Sequence, residues 1–151
     1  MAATLARTRV PLDFAVPFGK ARIRRAGRDL TIAAYGTPVH FALEAAETLA
    51  KEGKEVEVID LRSLVPLDFD ALAASVKKTS RLLVAHEDKV HAGFGGEIAA
   101  RTSNELFEWL DAPVERVGAT FTPVGFNRIL ERAILPSTEK VLEAARKVLA
   151  Y

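Results

Sequence analysis

Three histidines, His40, His86 and His91, are the first residues whose chemistry has to be weighed. Two of them bracket the run HEDKVH at 86–91, which invites comparison with a zinc-binding helix. That motif needs histidines at i and i+4 on one helical face. Here they stand at i and i+5, about 140° apart around a helix. The stretch AGFGGE at 92–97 lies between a predicted strand and a predicted helix. Its spacing matches neither G-x-G-x-x-G nor a Walker loop. Backbone N–H groups at a helix start can hold an anion, but close packing and positive φ are the better reading of the glycines there. His86, Glu87 and Asp88 fall just past a predicted strand. In open α/β sheets that edge is where ligands bind. A solvated, hydrogen-bonded loop accounts for them equally well.

The rest of the inventory is thin. No hydroxyl nucleophile adjoins a histidine, and no carboxylate pair stands out by spacing. Cysteine is absent, which excludes disulfides, thiolate nucleophiles and cysteine metal sites. The catalytic inventory is thin for an enzyme domain. The net charge is +1, from 21 basic and 20 acidic residues, so nothing draws the chain to nucleic acid or anionic membrane. Arg22, Arg24, Arg25 and Arg28 cluster without interleaved aromatics, as a solvated sheet edge does. No apolar run approaches the ~20 residues of a membrane span. The segment 1–9 lacks the apolar stretch of a signal peptide, and a linker suits it better than a transit peptide.

The 151 residues amount to about one domain. Residues 1–19 read as an extended lead-in, with Pro11 and Pro17, and 20–151 as the domain. Alternation predicts strands at 21–25 and 30–35, and the two residues Gly27 and Arg28 between them suggest a hairpin. Thr37 as N-cap and Pro38 at the first turn start a helix that Gly53 stops. Further strands are expected at 55–61, 81–85 and 113–117. Helices follow from Pro66 and Asp68, from about Glu97 to Leu110 with Trp109 inward, and after the Ser137 cap. The stretch 86–96 reads as a glycine-rich loop, and 118–136 as a long connection. Strands alternating with helices predict a three-layer α/β/α domain with a mostly parallel sheet.

Seven stretches, in order, carry a family resemblance. They are PFGKA at 17–21; GRDLTI at 27–32 with YG at 35–36; VIDLR at 58–62 with PLD at 66–68; and SVKKT at 75–79. They continue with HE at 86–87 and GFGGEI at 93–98; LDAPV at 110–114 with RV at 116–117; and ILP at 134–136 with ARKV at 145–148 and Tyr151. The chain resembles the C-terminal domain of the beta subunit of thiamine-diphosphate-dependent 2-oxo acid dehydrogenases, in the transketolase superfamily.

The resemblance implies a five-stranded mixed sheet, order 1-3-2-4-5, with strand 1 antiparallel. Strand 1 would then pair with strand 3 rather than form the hairpin. Strand order would reverse where Thr37 meets His86 and Glu87. It also implies an oxidative decarboxylation with acyl transfer to a lipoyl group. Thiamine diphosphate and magnesium would be held by an alpha subunit or fused alpha region and by the beta subunit's N-terminal domain, not by this chain alone. The implied partners are that alpha subunit, a second beta subunit and the lipoyl acyltransferase core. The implied compartment is the cytoplasm of a bacterium or the mitochondrial matrix of a eukaryote. Residues 119–126, ATFTPVGF, depart from the Asp and Pro-aromatic-Pro run of relatives and resemble variants with fused alpha and beta regions. His86 and Glu87 lean slightly toward branched-chain substrates over pyruvate.

An assembly module needs surfaces rather than a reactive centre. Phe94, Phe121, Val124 and Phe126 fall in predicted loops, and loop aromatics suggest a partner surface. The acyltransferase's small basic subunit-binding domain calls for acids, and Glu87, Asp88 and the carboxylate of Tyr151 are the candidates, beside His86. The alternatives are the same domain of a transketolase or deoxyxylulose-phosphate synthase, or a freestanding small-molecule binding module in the switch-point crevice.

Overall fold

The protein is described by a computed structural model over residues 15–151; the readings of 1–9 and of most of the lead-in lie outside the described residues. Five strands, β1 (Arg22–Arg25), β2 (Leu30–Ala34), β3 (Val56–Asp60), β4 (Leu82–Lys89) and β5 (Glu115–Ala119), form one sheet in the order β1-β3-β2-β4-β5. β1 runs antiparallel to β3, and the other pairings are parallel. The implied topology and three layers are therefore present.

The alternation of β2 sorts the layers. Leu30, Ile32 and Ala34 face one side, packed on α1 (Pro38–Lys51) and α5 (Thr138–Leu149) through Val39, Leu49, Val141 and Val148. Ala33 faces the other, with Leu72 and Val76 of α2 (Phe69–Thr79) and Ile98 of α3 (Phe94–Glu105). β2, β3 and β4 are buried on both faces, which is why their sequences turn continuously apolar. Among the described residues no helix is long and apolar enough to cross a membrane.

The hairpin between the first two strands does not form, and the reason is local. Gly27 lies against the backbone of Val56 and Glu57, where a Cβ would collide. The N–H groups of Arg28 and Asp29 both donate to Glu55 O, at 2.8 and 2.9 Å. The link is thus anchored at the start of β3, which leaves β1 on the outer edge of β3. That edge is where the arginines sit: Arg24 reaches Asp60 at 3.4 Å and Arg25 reaches Glu55 at 2.9 Å.

Other boundaries also differ from expectation. Thr37 has helical backbone angles and its side chain caps nothing; Pro38 at the first turn starts α1 without it. The second helix begins after Asp68, whose carboxylate accepts from Ala71 N at 3.4 Å. α3 ends at Glu105, and a single 3-10 turn (Phe107–Trp109) follows, so Trp109 is exposed, not inward. The expected long connection holds a short helix, α4 (Arg128–Ile134), capped by the Asn127 side chain on Ile129 N at 2.8 Å. Ser137 caps α5 as expected, and Gly53, at φ +77°, closes α1.

A buried polar network locks α2 onto the sheet. Thr31 Oγ1 lies 2.7 Å from both Ser75 Oγ and Thr79 Oγ1. Ser75 Oγ donates to Glu57 Oε1 at 2.5 Å, and the Lys78 ammonium reaches Glu57 Oε2. Glu57 is fully buried, so its charge depends on these donors. Ser75→Ala should lower stability by about 2 kcal/mol, because it leaves the carboxylate short of a donor. Urea denaturation measures this; a loss below about 0.5 kcal/mol would mean the network is not needed.

Candidate functional site

Strand order reverses between β2 and β4, so the carboxyl ends of these two strands define the switch point. β4 does not stop at Ala85; it continues through His86, Glu87 and Asp88 to Lys89. The polar run had the look of a loop, but its backbone stays extended and regains β5 at the Lys89–Ala119 pair after an irregularity. Gly36, at φ +68°, turns the chain out of β2, and a Cβ there would lie 3.6 Å from Glu87 Oε2. The structure thus brings the 36–37 turn and Glu87 together at the switch point.

His86 is fully buried, so it is no partner residue of the free surface. Its ring stacks on Tyr35, centroids 5.8 Å apart and planes within 5°. On its other sides stand glycines. A Cβ at Gly95 would land on His86 Nε2, and one at Gly118 would come within 2.8 Å of Cε1. One at Gly93 would strike Lys89 O and sit 3.1 Å from His86 Cε1. The glycine-rich turn therefore serves close packing. Gly93 and Gly95 let the start of α3 press onto β4, and Gly118 lets β5 do the same. Phe94, expected in a loop, is the first residue of α3 and is partly buried against the α2/α3 core.

Among the described residues, the imidazole nitrogens and the Tyr35 hydroxyl have no hydrogen-bond partner. Burial pushes the His86 pKa down; the Asp88 carboxylate and backbone oppose this, and Arg116 adds slightly to it. Burial, with the nearby Asp88 charge, pushes the Tyr35 hydroxyl up to about 12. Both rings are held neutral. A neutral, stacked pair, with His86 buried and Tyr35 partly buried, holds the two strand ends together.

The remaining predicted residues divide between two ends of the sheet. Glu87 and Asp88 are exposed and line a cavity of about 240 Å³ with Ala119, Val124, Ile134 and Leu135. Phe121 and Phe126 are exposed beside it, Phe126 completely. Phe121 is held in place by the Lys89 ammonium, 5.4 Å from the ring centroid, and by the His91 ring at 4.4 Å. Tyr151 is elsewhere: it lines a groove with Phe107, Asp111 and Pro113, just before β5 begins. Glu87 and Asp88 stand where β4 ends, so the three expected acids do not share a surface. Two features escaped sequence reasoning. The exposed face of α4, with Ile129 and Leu130, was hidden in a stretch without sustained periodicity, although Asn127 is a cap signal. The Phe107 and Trp109 pair was hidden by a helical pattern that continues past the real helix end.

A family model, "Transketolase, C-terminal domain", matches residues 19–141. The chain belongs to the transketolase C-terminal domain family. It is 46% identical over 135 residues to the mitochondrial pyruvate dehydrogenase E1 component subunit beta-2 of Oryza sativa subsp. japonica, covering 89% of this chain and 36% of that protein. It is 45% identical over 136 residues to the acetoin:2,6-dichlorophenolindophenol oxidoreductase subunit beta of Cupriavidus necator, covering 90% and 40%. Among solved structures, the inactive beta4 tetramer of a split-gene transketolase matches with a TM-score of 0.79 and 30% identity, over 93% of this chain and 45% of that one. The chain thus spans about two fifths of the length of these curated relatives.

The described residues do not fit thiamine diphosphate or its magnesium. Magnesium takes oxygen ligands in a near-ideal octahedron, and no group of three or more His, Asp or Glu side chains among the described residues could hold an ion. The one glycine turn resembling a phosphate cradle is closed by His86 and by Lys89 O.

Two outcomes follow. The unfolded chain protonates His86 near pH 6.5, above the folded-state pKa. His86's contribution to stability is therefore complete above about pH 6.5 and is lost as pH falls below it. Denaturation midpoints between pH 7.5 and 5 should decline, and His86→Gln should flatten the decline. Gly95→Ala should cost about 1–3 kcal/mol by overpacking. A neutral effect would mean that α3 is free to move off β4.

Proposed function

We propose that this chain is the assembly region of a thiamine-diphosphate-dependent 2-oxo acid dehydrogenase, with pyruvate as the favoured substrate class. The observation that carries the reading is the closed switch point. His86 and Tyr35 fill the place where an α/β sheet binds its ligand, while apolar side chains stand exposed at both ends of the sheet. The names of the rice and Cupriavidus relatives support the beta-subunit assignment and the oxidoreductase chemistry. Decarboxylation and the hold on thiamine diphosphate and magnesium belong, in this reading, to an alpha subunit or fused alpha region and to the rest of the beta subunit. The relative solved as a beta4 tetramer supports contact with a second beta copy. The mitochondrial relatives of rice and pea fit the matrix as compartment for a eukaryotic source.

Docking of the acyltransferase core is assigned to the Tyr151 groove, of about 480 Å³. Phe107 and Pro113 supply apolar wall, and Asp111 with the exposed Glu108 supplies negative charge. Buried aromatics carry most of an interface's energy, and rim charges set its on-rate and salt dependence. Glu87 and Asp88, at the other end, are released from that role.

The purified chain, given thiamine diphosphate, magnesium and pyruvate, should release no carbon dioxide. The complete beta subunit with its alpha subunit should. Turnover by the chain alone would refute the assignment. In the complete enzyme, Phe107→Ala and Asp111→Ala should each weaken capture of the acyltransferase's subunit-binding domain by about tenfold. Equal affinity in both variants would move the docking site elsewhere.

A further inference from the structure

His86 stands in a slot with room for one protonation state. Its ring is fully buried, and among the described residues neither nitrogen has a hydrogen-bond partner. The two nitrogens face different neighbours. A Cβ at Gly118 would lie 2.6 Å from Asp88 O and 3.1 Å from His86 Nδ1, so a carbonyl stands near Nδ1. A Cβ at Gly95 would fall 2.2 Å from Nε2, so Nε2 abuts the first turn of α3. The start of a helix presents N–H groups rather than free carbonyls, and Nε2 meets no acceptor there. A neutral imidazole carries one N–H, and an imidazolium carries two. The first proton suits Nδ1, and the second has to go to Nε2, against the helix.

The charges around the slot set the direction of any movement. The amino end of α3 carries positive partial charge. Arg116 of β5 lies beside the same turn, where a Cβ at Gly96 would come within 3.2 Å of its Nη1. Both oppose a cation in the slot. Asp88 of β4 favours one: a Cβ at Gly93 would lie 3.1 Å from both His86 Cε1 and Asp88 Oδ2. That carboxylate is on an exposed residue, so a charged ring reaches it only by moving outward. The other charged groups nearby look elsewhere. Glu87 meets the Gly36 turn, the Lys89 ammonium lies over Phe121, and Glu97 of α3 is exposed. Tyr35, on the ring face, is neutral.

The backbone at His86 is free to shift. β2 pairs with β4 only as far as Ala85, and β5 leaves β4 after Ala85 and regains it at Lys89. Residues 86–88 therefore lie outside the ladder, and their movement breaks no pairing of the central strands. We infer that the switch point is an acid-operated latch. A proton at His86 Nε2 releases and unwinds the first turn of α3, draws the ring from Tyr35 toward Asp88, and leaves the rest of the domain folded. α1 and α5 pack on the opposite face of the sheet, and the Glu57 network holds α2, so neither depends on His86. Because burial holds the folded-state pKa of His86 below its ordinary value, opening takes up a proton and is favoured as pH falls.

The opened ring protonates near pH 6.5. The open population should therefore rise about tenfold between about pH 7.5 and 5.5. Hydrogen exchange of the intact chain, corrected for intrinsic rates, measures it. The amides of 98–101, which donate to the carbonyls of 94–97, should lose about tenfold in protection, and those of β2 and α2 should keep theirs. Nuclear magnetic resonance of the His86 ring should show protonation over the same pH range. His86→Gln should abolish the pH effect, and His91→Gln, at an exposed imidazole, should preserve it. Asp88→Asn removes the group that receives the charged ring, so opening should move to lower pH. Near-ultraviolet circular dichroism checks that each variant is folded. Equal protection of 98–101 at both pH values in the wild type would overturn the inference. So would a pH effect that survives in His86→Gln, or a loss spread equally over β2 and α2. If His86→Gln does not fold, Asp88→Asn decides: opening at the wild-type pH midpoint would overturn the latch.

Discussion

The close approach of α3 to β4 governs what this molecule can do. A helix ordinarily stands about 10 Å from a sheet, with side chains between. Here Gly93, Gly95 and Gly118 remove those side chains around one residue, His86, and the imidazole becomes the filling. Tyr35 closes the remaining face by stacking. An α/β sheet whose strand order reverses would normally leave a crevice at that point. In this one the space is occupied by two neutral rings from adjacent strands. Closing the crevice ties β2 to β4, fixes the start of α3 and directs the 36–37 turn toward Glu87.

Much of this was legible from local pattern. The double-faced burial of β2, β3 and β4 follows from their apolar runs, and the positions of α1 and α5 from caps and periodicity. What was not legible was set by contacts distant in sequence. A two-residue link such as Gly27 and Arg28 suits a hairpin until β3, some thirty residues later, offers its backbone to Gly27. Resemblance to a family supplied the strand order where periodicity could not. Likewise HEDK reads as a loop because it is polar. Its backbone is extended because β5 pairs again at Ala119, and His86 is buried because the facing residues are glycines. The signal for a buried histidine was present as three glycines, but two lie at the start of the next helix and the third in another strand.

The two ends of the sheet differ in kind. At the end where β5 begins, the Tyr151 groove has acids near aromatic side chains, but Asp111 is partly matched by Arg81 at 3.7 Å. At the end where β4 stops, Glu87 and Asp88 have no such partner among the described residues and line a smaller apolar hole. A surface with partly compensated charge suits a contact that must exchange, as docking of a mobile domain does. Uncompensated acids beside an unfilled cavity suit a contact meant to persist, because burial there is favourable only when the partner brings the opposite charge.

The placement of aromatic residues makes the same argument from composition. Only 7% of the chain is aromatic, and among the described residues Tyr35, Phe41, Phe69 and Phe94 are the aromatics that pack into or against the core. The core is mostly Leu, Ile, Val and Ala, with Phe69 as its one buried phenylalanine among the described residues. Phe18, Phe107, Trp109, Phe121, Phe126 and Tyr151 are instead exposed. Aromatic side chains bury more area than any others and dominate interiors when a fold needs them. This fold does not: small aliphatic residues let α1 and α5 sit close on one face, and glycines let α3 sit close on the other. Stability is thus supplied by packed aliphatic side chains, large and small. Most of the aromatic groups are left outside, where each has the size and rigidity that interface anchors have. A chain that solved only its own folding problem would have no reason to keep them there.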